Sequence, residues 1–189
     1  MKLIRKSVHS LGEAGFKCVA TIGNFDGVHL GHQAVIKELQ KWAKKIELPA
    51  TVITFEPTPQ EFFLRDKAPR RLMKLREKFE VLQGLGIEVM CVLRFNAAMA
   101  SLSPEDFIRV ILVENLNIQH LVIGNDFKFG KDRKGDIALL KQQGKIFDFL
   151  VTELPMYLLN NEKISSTRIR KALMLGEVAE AENLLGRKV

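Results

Sequence analysis

Apolar residues in this chain fall into short, nearly continuous runs separated by stretches in which they recur at helical spacing. The runs Cys18 to Ile22, Ala50 to Phe55, Ile87 to Phe95, His120 to Ile123 and Ile146 to Val151 are rich in β-branched residues and predict strands. Between them, Leu30 to Lys45, Arg70 to Leu85, Pro104 to Glu114 with Ser103 as its cap, and Asp136 to Gln143 predict helices. Lys2 to Val8 predicts one more short strand, with a turn at Gly12 to Gly15. Strands without polar alternation are covered on both faces, and their alternation with helices predicts a doubly wound α/β fold on a parallel sheet.

Past this core, about residues 17–151, the pattern changes. A short extended piece at Met156 to Leu159, a polar turn at Asn160 to Lys163, a helix opened by Ser165, and a second helix around Val178 to Leu185 after Gly176 make a C-terminal segment of about residues 153–189. The length of 189 residues and the 47% hydrophobic content suit one domain with this small appendage.

Composition narrows the function classes. No apolar run reaches the roughly 20 residues that span a bilayer, and the N-terminus lacks a signal-peptide core, so a cytoplasmic protein is expected. Cys18 and Cys91 sit in apolar runs that read as neighbouring core strands, which predicts buried free thiols. The net charge of +7 suits a phosphate-bearing partner. The basic residues are scattered among apolar elements and accompany no nucleic-acid-binding signature, so small nucleotides are expected and nucleic acid is not.

The candidate chemistry begins where the first core strand ends. Ala20 to Gln33 reads Ala-Thr-Ile-Gly-Asn-Phe-Asp-Gly-Val-His-Leu-Gly-His-Gln: a strand, a glycine-rich loop and a helix start. His29 and His32 are spaced to share one helix face, Gly23, Gly27 and Gly31 permit close backbone approach, and a helix N-terminus offers unpaired N–H groups to a phosphate. The glycines form neither a Walker loop nor a dinucleotide fingerprint. A structural zinc site would need about four ligands, and His9, His120, Cys18 and Cys91 have no clustered spacing with the pair.

Ser165-Ser166-Thr167-Arg168-Ile169-Arg170, where three hydroxyls and two arginines open a helix, reads equally as simple capping or as a second anion site. One cap accounts for only one of the hydroxyls. Two strand-following loops carry aromatic residues that read either as walls for a flat ring or as ordinary turns with buried phenylalanines: Gly124 to Gly130 with Asp126, Phe127 and Phe129, and Phe55 to Phe63 with Phe62. In a doubly wound sheet such loops converge beyond the carboxyl ends of the strands.

His-Leu-Gly-His resembles the H-x-G-H signature of the Rossmann-like nucleotidyltransferase superfamily. With it, G-N-F-D-G-V-H-L-G-H, T-F-E-P-x-P, V-I-G-x-D-F-x-F-G-K and I-S-S-T-R-I-R occur in the order found in the adenylyltransferase module of the prokaryotic bifunctional riboflavin kinase/FMN adenylyltransferase, or FAD synthetase, family. The resemblance runs from about Val19 to the end. It implies attack of the FMN phosphate on the α-phosphorus of ATP, with Mg2+ held mainly by phosphates. His29, His32 and Arg170 would be catalytic. Gly23, Asn24, Phe25, Asp26, Gly31, Ser165, Ser166, Thr167 and Arg168 would seat ATP and its phosphates, and Phe62, Asp126, Phe127 and Phe129 would border the flavin. Thr58 stands where the family usually has His, and the family's riboflavin kinase domain is absent from these residues, although a covalently linked one would be a natural partner. Another phosphorylated acceptor, or a non-catalytic nucleotide- or flavin-binding role, is the alternative reading.

Overall fold

The computed structural model describes residues 1–6 and 17–189. His9, the turn at Gly12 to Gly15 and the expected strand beyond Lys6 lie outside the described residues.

Six strands, β1 (Lys2–Lys6), β2 (Cys18–Ile22), β3 (Ala50–Glu56), β4 (Val89–Arg94), β5 (Ile118–Gly124) and β6 (Leu150–Leu154), form one sheet in the order β1-β4-β3-β2-β5-β6. Every pairing is parallel. Strand order reverses between β2 and β5, so the segment after β2 leaves the sheet at its switch point, where doubly wound folds bind ligands. All five residues of β2 are buried, as sheet coverage on both faces requires.

The period-two alternation of side chains sorts the core into two layers. Cys18, Ala20 and Ile22 pack on one face with Ile108, Ile111 and Leu112. Val19, Val52 and Met90 pack on the other with Ile36, Leu39 and Leu82. The helices are α1 (Leu30–Lys45), α2 (Pro59–Leu64), α3 (Leu75–Gly84), α4 (Ala97–Ser101), α5 (Pro104–Asp106, continuing as a π-helix over Phe107–Asn115) and α6 (Ile137–Phe147). A two-stranded hairpin, β7 (Leu158–Leu159) and β8 (Glu162–Lys163), then leads to α7 (Ser166–Met174) and α8 (Val178–Leu185). Ile164, Ile169, Ala172, Ala181 and Leu184 form a small core there, joined to the body through Leu30 and Leu72.

Several boundaries differ from expectation. The helix expected from Arg70 begins at Leu75, because Leu72 and Met73 donate their N–H groups to the Asp26 carboxylate instead of serving a helix. The apolar pair Ile146 and Phe147 belongs to the last turn of α6, closed by Asp148 in the left-handed region, so β6 starts at Leu150. The stretch Glu56 to Gln60 holds the start of α2, capped by Thr58. Cys18 and Cys91 are buried and free as expected, but β3 lies between their strands, so they are not on neighbouring ones.

Candidate functional site

The loop after β2 is built on backbone that few residues adopt. Phe25 (φ 47°), Gly27 (φ 85°) and Val28 (φ 40°) all lie in the left-handed region. At Gly27 a Cβ would also lie 2.9 Å from Leu72 Cδ1, so protein packing rather than ligand approach demands this glycine. Asn24 is held through its carbonyl, which accepts from Lys78 Nζ at 2.6 Å and from Thr54 Oγ1 at 3.3 Å. Lys78 is buried, and burial lowers its pKa below the ordinary lysine value.

His29 caps α1, its Nδ1 accepting the backbone N–H of His32 at 3.3 Å. An accepting Nδ1 leaves the proton of the neutral ring on Nε2. The two imidazoles stack with centroids 3.7 Å apart and planes 13° from parallel, and Phe25 packs on His32 at 4.8 Å. Gly31 leaves room for the stack, since a Cβ there would press on the His29 ring at 3.2 Å. Burial lowers the His29 pKa to about 4, assisted by the nearby Lys163 and Arg187 charges and opposed by Asp26. Burial and the His29 charge lower His32 as well. Both rings are therefore neutral near pH 7, and His32 Nδ1 is buried without a hydrogen-bond partner among the described residues.

A cavity of about 470 Å³ opens at the carboxyl ends of the central strands. Gly23, Asn24, Phe25, Asp26, Gly31 and the two histidines line one wall. Ser165, Ser166, Thr167 and Arg170 line another, and Asp126 and Phe127 a third. Three of the expected residues are elsewhere. Phe62 stacks edge-on against Phe63 and Phe95, and Phe129 is buried against Phe107 and Phe127. Neither reaches the cavity wall. The Arg168 guanidinium turns to Glu180 and Glu162, so it stabilises the C-terminal segment.

The hydroxyl cluster divides its tasks. Ser165 accepts the Arg168 N–H as the cap of α7, Ser166 donates to the Asp26 carbonyl at 2.8 Å, and Thr167 stays exposed at the cavity. Arg170 pairs with Asp26 and donates through Nε to the Arg70 carbonyl at 2.7 Å. Thus Asp26 is occupied in joining the loop after β2 to α7 and to Leu72 and Met73.

Sequence reading missed Arg71, Glu56, Glu61 and Lys163. Arg71 donates to Glu56 at 2.6 and 3.0 Å and pairs with Glu61, whose carboxyl is held down to about 2 chiefly by that guanidinium. Glu61 and Thr58 close a capping box on α2, which gives the Thr58 hydroxyl a structural task. Lys163 pairs with Asp126 across the cavity. The nearest signal in the sequence was the T-F-E-P-x-P stretch, which contains Glu56 and Thr58. On the wall as a whole cations outnumber carboxylates five to three, which suits an anionic ligand.

A family model described as FAD synthetase matches residues 13–168. The chain belongs to the FAD synthetase family. It is 44% identical over 187 residues to the bifunctional riboflavin kinase/FMN adenylyltransferase of Escherichia coli (strain K12), covering 98% of this chain and 59% of that protein. Its identity to the Haemophilus influenzae protein of the same name is 42% over 187 residues, covering 99% and 60%. The chain therefore spans about three-fifths of the length of these curated relatives. A crystal structure described as a macrolide-efflux protein from Streptococcus pneumoniae superposes with a TM-score of 0.84 at 31% identity, covering 99% of this chain and 62% of that one. Among the described residues no helix is long and apolar enough to cross a membrane.

Proposed function

We propose that the chain transfers the adenylyl group of ATP to FMN, giving FAD and pyrophosphate. An FMN phosphate oxygen forms a bond to the α-phosphorus as the bond from that phosphorus to the bridging oxygen of the β-phosphate breaks. The FMN phosphate is already anionic at neutral pH, so no general base is required. The observation that carries this reading is the neutral His29–His32 stack and the α7 N-terminus lining one cavity of net positive charge. His29 Nε2–H and His32 would hydrogen-bond the phosphates at the reacting centre, and the N–H groups of α7, Thr167 and Arg170 would hold the β- and γ-phosphates. Phe127 and Asp126 would border the flavin.

Magnesium fits this arrangement as an ion held by phosphate oxygens and water. Among the described residues no group of three or more His, Cys, Asp or Glu is placed to hold a metal, and Asp26, Glu61 and Asp126 on the cavity wall already pair with cations. Bound there, it would screen phosphate charge. FMN would come from a riboflavin kinase activity, the other activity in the relatives' name. Such substrates, and two free buried thiols, suit the cytoplasm.

The test is FAD formation from FMN, ATP and Mg2+ by the chain and by a His29→Ala/His32→Ala variant. Turnover by the parent and a loss of about 10²-fold or more in the folded variant are expected. A parent that binds both nucleotides without making FAD, or a variant of undiminished rate, would overturn the reading.

A further inference from the structure

Just beyond α8 the chain folds back onto the histidine loop. Arg187 donates through Nη2 to the Gly27 carbonyl at 2.7 Å and through Nη1 to the Val28 carbonyl at 3.3 Å. Gln33 Nε2 bridges the same Val28 carbonyl and that of Leu185, both at 2.9 Å. Gly186 packs so tightly that a Cβ there would lie 2.5 Å from Leu30 Cδ2. Among the described residues no carboxylate forms an ion pair with Arg187, so the two carbonyls are what satisfy this partly buried cation.

Those carbonyls belong to the strained turn. Val28 is β-branched, fully buried and at φ 40°, a conformation that persists only where the surroundings over-determine it. His29 follows directly, so a change in the Val28 dihedrals would swing the imidazole away from His32. We propose that Arg187 is a positioning residue, which clamps the Gly27–Val28 turn and so keeps His29 stacked on His32 with its ring proton on Nε2. Arg187 lies outside the matched residues 13–168 of the family model. Its effect on rate rests on the adenylyl-transfer reading; its effect on the His29 ring does not.

The experiment compares the parent with Arg187→Ala and Arg187→Lys by FAD formation, thermal unfolding and 15N NMR of the imidazoles. Arg187→Ala is expected to lower kcat by about ten- to a hundredfold with little change in KM for ATP. Partial recovery is expected in Arg187→Lys and in Arg187→Ala supplied with millimolar guanidinium. His29 in the alanine variant should lose its single Nε2–H tautomer signature, and its pKa should rise from about 4 as the Arg187 charge disappears beside the remaining Asp26 and Lys163. A parental kcat in folded Arg187→Ala, or an unchanged His29 tautomer and pKa, would overturn the proposal. Where the alanine variant does not fold, Arg187→Gln, which keeps an N–H donor but no charge, decides it by the same two readouts, with a smaller shift expected and none overturning it. If no protein makes FAD, the function fails while the His29 spectrum still decides the role of Arg187.

Discussion

Asp26 is the side chain through which three segments of the site meet, and its removal gives the sharpest quantitative test. Its carboxylate accepts N–H bonds from Leu72 at 3.0 Å and Met73 at 3.3 Å and pairs with Arg170. The side chains are only 10% and 18% exposed for Asp26 and Arg170, so water hydrates neither ion well. In Asp26→Ala the guanidinium loses its counter-ion and two backbone donors lose their acceptor. Removing one partner of a buried pair costs about 3–5 kcal/mol. At about 2–4 °C per kcal/mol for a chain of this size, the melting temperature should fall by about 6–20 °C. Asp26→Asn keeps an acceptor for Leu72 and should lose less. Arg170→Ala leaves Asp26 its backbone donors, so the double variant should be less damaged than the sum of the singles, with a coupling of about 0.5–3 kcal/mol. Thermal unfolding by circular dichroism near neutral pH reads the parent and all four variants. A melting point for Asp26→Ala within about 2 °C of the parent, or strict additivity in the double variant, would refute the assignment of Asp26 as the joint of the site.

Other perturbations test separate parts of the same geometry. The His29 pKa is about 4 in the fold against an ordinary 6.5, so the unfolded chain takes up the proton first as pH falls. Its contribution of about 3 kcal/mol should be complete above pH 6.5 and lost progressively down to pH 4. Melting temperatures across that window should fall in the parent and less steeply in His29→Gln; identical slopes would remove His29 as a cause. Gly27→Ala meets both a φ of 85° and the Leu72 side chain at 2.9 Å, and should cost about 1–3 kcal/mol by denaturant unfolding. Thr58→Ala removes the cap of α2, for a loss of about 1 kcal/mol by the same measurement, and an unchanged midpoint would show that the cap contributes nothing.

What the sequence disclosed and what it withheld divide along the range of the interactions. The limits of α1 were legible because they are local: His29 stands at the start as a cap and Lys44 and Lys45 lie in the last turn. The buried strands were legible because unbroken β-branched runs need cover on both faces. The β6 boundary was not, since Ile146 and Phe147 look alike as a strand start and as an apolar helix end, and only the left-handed Asp148 separates the cases. The placement of Cys18 and Cys91 on neighbouring strands failed because strand order is not a local property. The site shows the same division. His29, His32 and the Ser165 to Thr167 cluster stood out as contiguous motifs, whereas Arg71 finds Glu56 across 15 residues and Arg187 finds Gly27 across 160. The residue types of Phe62 and Phe129 suit a cavity wall and a packed cluster alike, and packing against other phenylalanines draws both away from the cavity.

The electrostatics of the cavity imply a division of labour between its charged and neutral donors. Arg170, Arg71 and Lys163 already hold carboxylates, through Asp26, through Glu56 and Glu61, and through Asp126. A polyphosphate that engages them exchanges one anion for another, so the gain is a difference between similar terms. The N–H groups at the start of α7, the exposed Thr167 hydroxyl and the Nε2–H of neutral His29 face no such exchange. On the adenylyl-transfer reading, a cation on the β- and γ-phosphates, Arg170 among them, gains as charge moves onto the leaving pyrophosphate, less what it gives up in its carboxylate contact. The His29 imidazole works without that exchange, because its neutral Nε2–H donor strengthens its bond as negative charge builds on the phosphoryl oxygens. The low pKa that burial imposes on His29 leaves the ring neutral near pH 7, and on that reading its Nε2–H meets the developing charge as a hydrogen-bond donor.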